Sequence, residues 1–506
     1  MESGEPKSST KAKDAKPVIS MQERLDASRA KMRDILAGKK PANTREMKKK
    51  QVGKWAGLVQ KAKEKYQNNA IRQVHFILSN GDLQAATGRA RKVGEKSMTD
   101  MGDTLSRAAV ELKEAGMPIR NIGEIGKKHV LALIKHWEAK GNKCKTMETK
   151  ISNMRRFCEL INKPGAVPTR KQLYQWLDDN GVKVHHTRHG RIADTSHAWT
   201  ATGVSPQKVI EDVSENEPLF SLILELQLAF GLRKKESISI EPRASDEGTK
   251  MIITKGTKGG RPRTVDFDSD PVVFEWQRDL VERAKVVAMQ HPQRRLCKPG
   301  LTQKQMYTWV TNQATKWGLT GKNLGVTMHG LRHEFVARVF SQRCGLPPPA
   351  EGAIPAEVYE QNAEAVKQAR LYVSEQVGHW REDITSSYLG STPRLKKLAR
   401  DRMGEWVNRV ERNADVMQDI RKSGVERFWL VGKAGMGLVM LPETPLAAMV
   451  YVKSHDQDSL GRVKHLQDRL VQVFGRKVSI AIMTGVEDSP SDGLEIHIPK
   501  EFEKAV

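Results

Sequence analysis

The stretch Thr327-Met328-His329-Gly330-Leu331-Arg332-His333-Glu334-Phe335 constrains this chain more than any other. A helix through it sets His329, Arg332 and His333 near one face, while Leu331 and Phe335 turn toward a core. Such a face can hold an anion. Complementary parts lie elsewhere: Gly231-Leu232-Arg233 with Glu236 upstream, Lys258 in a basic run between, and Gly378-His379 with Tyr388 downstream. Arginines, a lysine, imidazoles and a phenol together suit attack of a tyrosine on a phosphodiester without metal.

The ordered set resembles the tyrosine recombinase (phage-type integrase) family. Its motifs are an arginine in a Gly-Leu-Arg box, a lysine in a β-hairpin, His-x-Leu-Arg-His, and Gly-His followed nine residues later by the tyrosine, and all occur in order between Arg233 and Tyr388. The resemblance implies a catalytic set of Arg233, Lys258, His329, Arg332, His379 and the nucleophile Tyr388, with Glu236 and His333 in support. Lys255 competes with Lys258, but the family spacing, measured back from Arg263-Thr264-Val265-Asp266, fits Lys258 better. Tyr372 is a rival nucleophile that precedes the Gly-His box.

The same resemblance implies strand cleavage and rejoining through a 3′-phosphotyrosyl link, with no cofactor, no metal and no ATP, in a mobile-element integrase. Its partners would be double-stranded DNA recombination sites, with a dimer on each site, a homo-tetramer on synapsed DNA, and DNA-bending or directionality proteins. A type IB topoisomerase and a non-catalytic DNA-binding regulator are the rival classes.

Composition agrees with a polyanionic partner: the formal net charge is +25 over 506 residues. That length suggests several domains. Cys144, Cys158, Cys297 and Cys344 are scattered, which argues against a disulfide framework or zinc ribbon. No apolar run approaches the roughly 20 residues that span a bilayer, so a soluble protein of the bacterial cytoplasm, at the nucleoid and without a membrane partner, is expected.

The fold expected is multidomain: a mainly α-helical core-binding bundle, a mixed α+β tyrosine-recombinase catalytic domain with a small β-hairpin, and a small C-terminal α/β module. Residues 1–50 read as a basic disordered arm and 51–180 as the helical DNA-binding domain. Residues 181–207 read as a linker, 208–420 as the catalytic domain and 425–506 as an accessory module. In the bundle, Lys145, Lys150, Arg155 and Arg156 flank an apolar stripe of Ile151, Met154, Cys158 and Ile161 and are candidate DNA contacts, as are Lys255, Arg261 and Arg263 of the hairpin.

The linker carries His185, His186, His189 and His197 without a cysteine or a clear set of carboxylate ligands, so it reads as a segment along the DNA backbone and not as a metal site. Short strands are expected at Ile238–Ile240, Met251–Thr254 and Thr264–Phe267, and Ser391–Ile420 reads as one amphipathic helix. Residues 343–354, with three consecutive prolines, mark an insertion. In the last module, strands are expected at Phe428–Val431, Gly437–Leu441, Met449–Val452, Val478–Met483 and Leu494–Ile498, with a helix over Leu460–Phe474 and a hairpin turn at Gly432–Gly437.

Overall fold

The computed structural model describes residues 44–81, 95–169, 172–182, 192–379, 385–440, 444–453, 457–483, 490–491 and 493–498. The arm up to residue 43, and His185, His186 and His189 with Lys183, Arg188 and Arg191, lie outside the described residues. Contacts divide the chain into two units, one of residues 31–189 and one of residues 1–30 with 190–506.

In the first unit, helices Thr44–Lys65, Ala70–Asn80, Glu95–Glu114, Lys127–Ala139, Cys144–Leu160 and Leu173–Asp179 enclose one core. Trp55, Val74, Leu105, Ile122, Leu133, Trp137 and Phe157 are fully buried in it, as three-to-four spacing of apolar residues requires. The stripe Ile151, Met154, Cys158 and Ile161 is buried as expected. Its basic neighbours are partly committed at home. Lys150 pairs with Glu111 at 3.3 Å and sits 4.5 Å over the Trp137 ring. Arg155 Nε donates to Pro168 O at 2.8 Å, Arg156 is half-buried, and Lys145 pairs with Glu148 at 3.3 Å while staying exposed.

The second unit opens with helices Pro206–Asn216 and Pro218–Phe230, each entered through a proline at its first turn. The expected strand at Ile238–Ile240 is instead the end of a helix, Lys234–Ser239. The reason is local: Glu236, three residues in, accepts the Arg233 backbone N–H at 2.9 Å and closes a helical turn that the Ile-Ser-Ile alternation does not reveal.

Strands β1 (Lys250–Ile253) and β2 (Arg263–Asp266) pair antiparallel, Lys250 opposite Asp266, and their connection contains a 3-10 turn at Lys258–Gly260. Helices Pro271–Met289 and Gln303–Lys316 follow, then the motif helix Met328–Cys344. Two helices, Ala356–Gln361 and Ala363–Gln376, lead to the Gly-His box. The motif helix packs centrally: Leu331, Val336 and Phe340 are fully buried between Pro218–Phe230 and Ala363–Gln376.

A short helix, Ser386–Leu389, carries Tyr388. The single helix expected over Ser391–Ile420 is two, Thr392–Glu411 and Ala414–Lys422, because Asn413 leaves helical geometry and its side chain caps the second by accepting from Val416 N–H at 3.1 Å. The first packs on Ala356–Gln361 of its own chain, with Leu395 buried.

The last module is a four-stranded sheet in the order β5-β4-β3-β6, from β3 (Val425–Val431), β4 (Leu446–Val452), β5 (Val478–Met483) and β6 (Leu494–Ile496). β4 and β5 run parallel, joined by helix Gln457–Phe474, and the other pairs are antiparallel. The strand expected from Gly437 does not form over the described residues. Gly432–Gly435 is a helical turn, and the Val439 N–H goes to Gly352 O of the insertion at 3.1 Å. Arg402 donates to Gly437 O at 3.3 Å, so the module is seamed to both the insertion and helix Thr392–Glu411.

Among the described residues, no helix is long and apolar enough to cross a membrane.

Candidate active site

The site is built around one buried carboxylate. Glu236 is fully buried and faces three guanidiniums: Arg233 at 2.5 Å, Arg263 at 2.9 Å and Arg332 at 3.8 Å. Burial alone would raise its pKa, but Arg263, Arg332 and Arg233 overcome that and hold it down to about 2. Three fixed cations on one carboxylate leave an excess of two positive charges in a low-dielectric setting, which is costly unless an anion can be taken in.

Backbone carbonyls take further guanidinium hydrogens, while Arg263 Nε is buried without a partner among the described residues. Arg332 donates to Gly231 O, and to Val377 O at 2.6 Å. Arg263 donates to Gln376 O, and to Gly231 O at 3.2 Å. The Gly-Leu-Arg box needs its glycine for this: Gly231 has φ +55°, and a Cβ there would meet the Phe335 ring at 2.4 Å. The carbonyl that two arginines share is reachable only because the motif helix's own Phe335 lies against the bare Cα.

Tyr388 is 8% exposed, and its Oη accepts from Arg332 Nε at 3.2 Å. Three imidazoles surround the phenol, with ring centroids at 4.7 Å for His333, 5.9 Å for His329 and 6.2 Å for His379. Burial, His329, His197 and Arg332 push His333 down to about 3. His379 is likewise held at about 3 by desolvation and by Arg332 and Arg233, and its Nε2 lies 3.4 Å from Arg233 Nη2.

His329 as a whole residue is solvent-exposed, yet its ring is enclosed on the side facing the cluster. That enclosure and the fields of Arg332 and Arg233 lower its pKa, leaving it neutral near pH 7. Arg332, wholly buried, is lowered only to about 10 and stays charged.

The two competing lysines separate. Lys258 is exposed on its 3-10 turn within electrostatic reach of His379, whereas Lys255 leans toward Glu241 at 3.7 Å. Tyr372 donates to Asp266 at 3.0 Å and lies under the Arg343 guanidinium, apart from this cluster.

Arg263 departs from its expected place on DNA. It is 2% exposed and forms the third guanidinium of the site. The period-2 run Arg263, Val265, Phe267 held that signal, since all three point to the buried face of the hairpin.

Two other residues were not singled out for this site from sequence. His197 lies edge-on to His333 at 5.3 Å, bringing part of the expected linker into the site. Arg370, 7% exposed, donates to Gly390 O at 2.7 Å and so grips the turn that carries Tyr388. Among the described residues no cluster of histidine, cysteine and carboxylates is arranged to hold a metal.

Comparison with known proteins yields one family: residues 189–338 match the model of the Integrase family. The match takes in Arg233, Lys258, His329 and Arg332 and ends before His379 and Tyr388. Among solved structures, lambda integrase in a tetramer bound to a Holliday junction is 12% identical, with 60% of this chain and 74% of that one covered and a TM-score of 0.37. The Tn1549 transposon integrase in complex with transposon right end DNA is also 12% identical, covering 67% and 99% at a TM-score of 0.36. No curated protein matches the chain in sequence.

Proposed function

We propose that this chain, an integrase across residues 189–338, is a tyrosine-type site-specific recombinase that integrates or excises a mobile DNA element. The observation that carries the reading is the Tyr388 phenol on Arg332 Nε, beside a guanidinium cluster with more charge than its single carboxylate balances.

In the reaction, Tyr388 Oη forms a bond to phosphorus and the bond from phosphorus to O5′ breaks. The phenolic proton passes to His329, which is neutral and able to accept it, and Lys258 gives a proton to the departing O5′. Arg332 already donates to Oη, and that hydrogen bond strengthens as negative charge develops on the phenol. Arg233 and Arg332 neutralise the non-bridging oxygens, His379 donates to the same phosphoryl group, and Glu236 with Arg263 keeps the guanidiniums in register.

The phosphotyrosyl product conserves the phosphodiester energy, so the 5′-hydroxyl of a second strand reverses the step without ATP. Duplex recombination sites, a dimer per site and a tetramer at synapsis belong to this reading. The helical unit of residues 44–182 adds sequence-independent duplex contacts.

The test is a nicked suicide duplex carrying the ends of the element that bears the coding sequence. A covalent protein–DNA adduct is expected on a denaturing gel with Tyr388 present and none with Tyr388→Phe. An adduct that survives Tyr388→Phe, or that maps to Tyr372, overturns the assignment.

A further inference from the structure

The segment just ahead of helix Pro206–Asn216 is bonded at five residues to elements around the site. Ala193 N–H donates to Ser386 O at 2.8 Å, two residues before Tyr388. Asp194 takes Arg394 in a two-pronged pair, 2.5 Å to Nε and 2.8 Å to Nη2, six residues after Tyr388. Ser196 N–H donates to Ala350 O of the insertion at 2.9 Å. Trp199, fully buried, donates from Nε1 to Thr327 O at 2.8 Å, at the start of the motif helix. Thr200 gives Glu334 both its N–H, at 2.6 Å, and its hydroxyl, at 2.8 Å.

The turn that carries Tyr388 has little of its own to hold it. Helix Ser386–Leu389 is four residues long, too short to be stable alone. Arg370 grips it from the interior and the 193–200 segment grips it from the other side, at Ser386 before the phenol and Arg394 after it.

We propose that residues 193–200 are a strap that sets the nucleophile turn, with Asp194 a positioning residue for Tyr388 acting through Arg394. This rests on the recombinase reading for its consequence in catalysis, but the mechanical claim stands apart from it. The strap also joins the motif helix to the nucleophile turn, so the phenol and Arg332 Nε are fixed to one frame. A few tenths of an ångström of misplacement at the phenol lowers the rate without altering DNA affinity.

The experiment is a double-mutant cycle of Asp194→Ala, Arg394→Ala and the pair, read two ways in the full chain. Amide hydrogen exchange over residues 385–390 is measured without DNA, and single-turnover adduct formation is measured on the suicide duplex. Because the pair is partly exposed but bidentate, each single change is expected to speed exchange, and to slow adduct formation at saturating DNA, by about five-fold.

The concentration of DNA for half-saturation should stay unchanged, and the double variant should be no worse than either single. Exchange that stays at the wild-type rate in both single variants overturns the strap, as does a double variant in which the two effects multiply. If exchange responds as expected but the unaltered protein forms no adduct on its element ends, the strap stands and the recombinase reading falls.

Discussion

Replacing Glu236 by glutamine keeps its shape and removes the carboxylate shared by Arg233, Arg263 and Arg332. The wild-type carboxyl is held at about 2, against 4.5 for the free group, a preference that contributes about 3 kcal/mol to folding at neutral pH. The sign follows from the depressed value: the contribution is complete above about pH 4.5 and is lost as pH falls toward about 2. Leaving two buried guanidiniums and the partly exposed Arg233 unbalanced costs about 3–5 kcal/mol by the general behaviour of broken buried ion pairs, so both routes give about the same figure.

For a unit of this size, Glu236→Gln should lower the midpoint of thermal unfolding by roughly 4–7 °C at pH 7. Differential scanning calorimetry with and without sulfate is the assay. Sulfate should raise the variant's midpoint more than the wild type's, because a binding anion supplies the charge that glutamine lacks. A drop under about 2 °C, or equal sulfate responses in the two proteins, would refute the claim that this carboxylate balances the cluster.

Other changes test separate parts of the site. His333, held at about 3, stays neutral in the fold while the unfolded chain takes up a proton below about pH 6.5, so stability should fall by about 2 kcal/mol between pH 6.5 and pH 5. His333→Asn should remove that share of the slope in denaturant titrations, leaving the shares that His379 and His329 contribute. Gly390 has φ +70° and ψ −165°, and a Cβ there would meet Ala350 N at 2.9 Å. Gly390→Ala should therefore cost about 2–4 kcal/mol in the same titration, and a neutral result would mean that the turn and insertion are not in contact. Lys258→Ala, at an exposed position, should leave unfolding unchanged yet slow adduct formation roughly 100-fold. A duplex with sulfur in place of the departing O5′, which leaves without protonation, should restore the rate, and failure to do so would move the acid elsewhere.

Much of this was legible in the residues because the motif chemistry is local. His329 and Arg332 share a helix face by spacing alone, and helix Pro218–Phe230 begins and ends where proline and glycine place it. What was hidden depends on partners distant in sequence. Arg263 reads as one more cation in a basic loop until Gln376 O and Glu236 close around it. Arg370 shows no motif, and its role comes from Gly390 O, twenty residues on. Ile238–Ile240 looked like a strand because alternation over three residues cannot outweigh a capping carboxylate at Glu236. His197 sat in a histidine-rich stretch whose other members lie outside the described residues, and only the course of the chain to Trp199 and Thr327 brings it to His333.

The seam between Val439 and Gly352 bears on how short a working version of this protein can be made. The loop it buttresses also presses on Gly390, two residues after Tyr388. Trimming the chain after residue 424, the obvious route to a smaller protein, would unbrace that loop from behind. A minimal variant therefore has to bring its own prop for the loop, or accept a Tyr388 turn that is held less firmly.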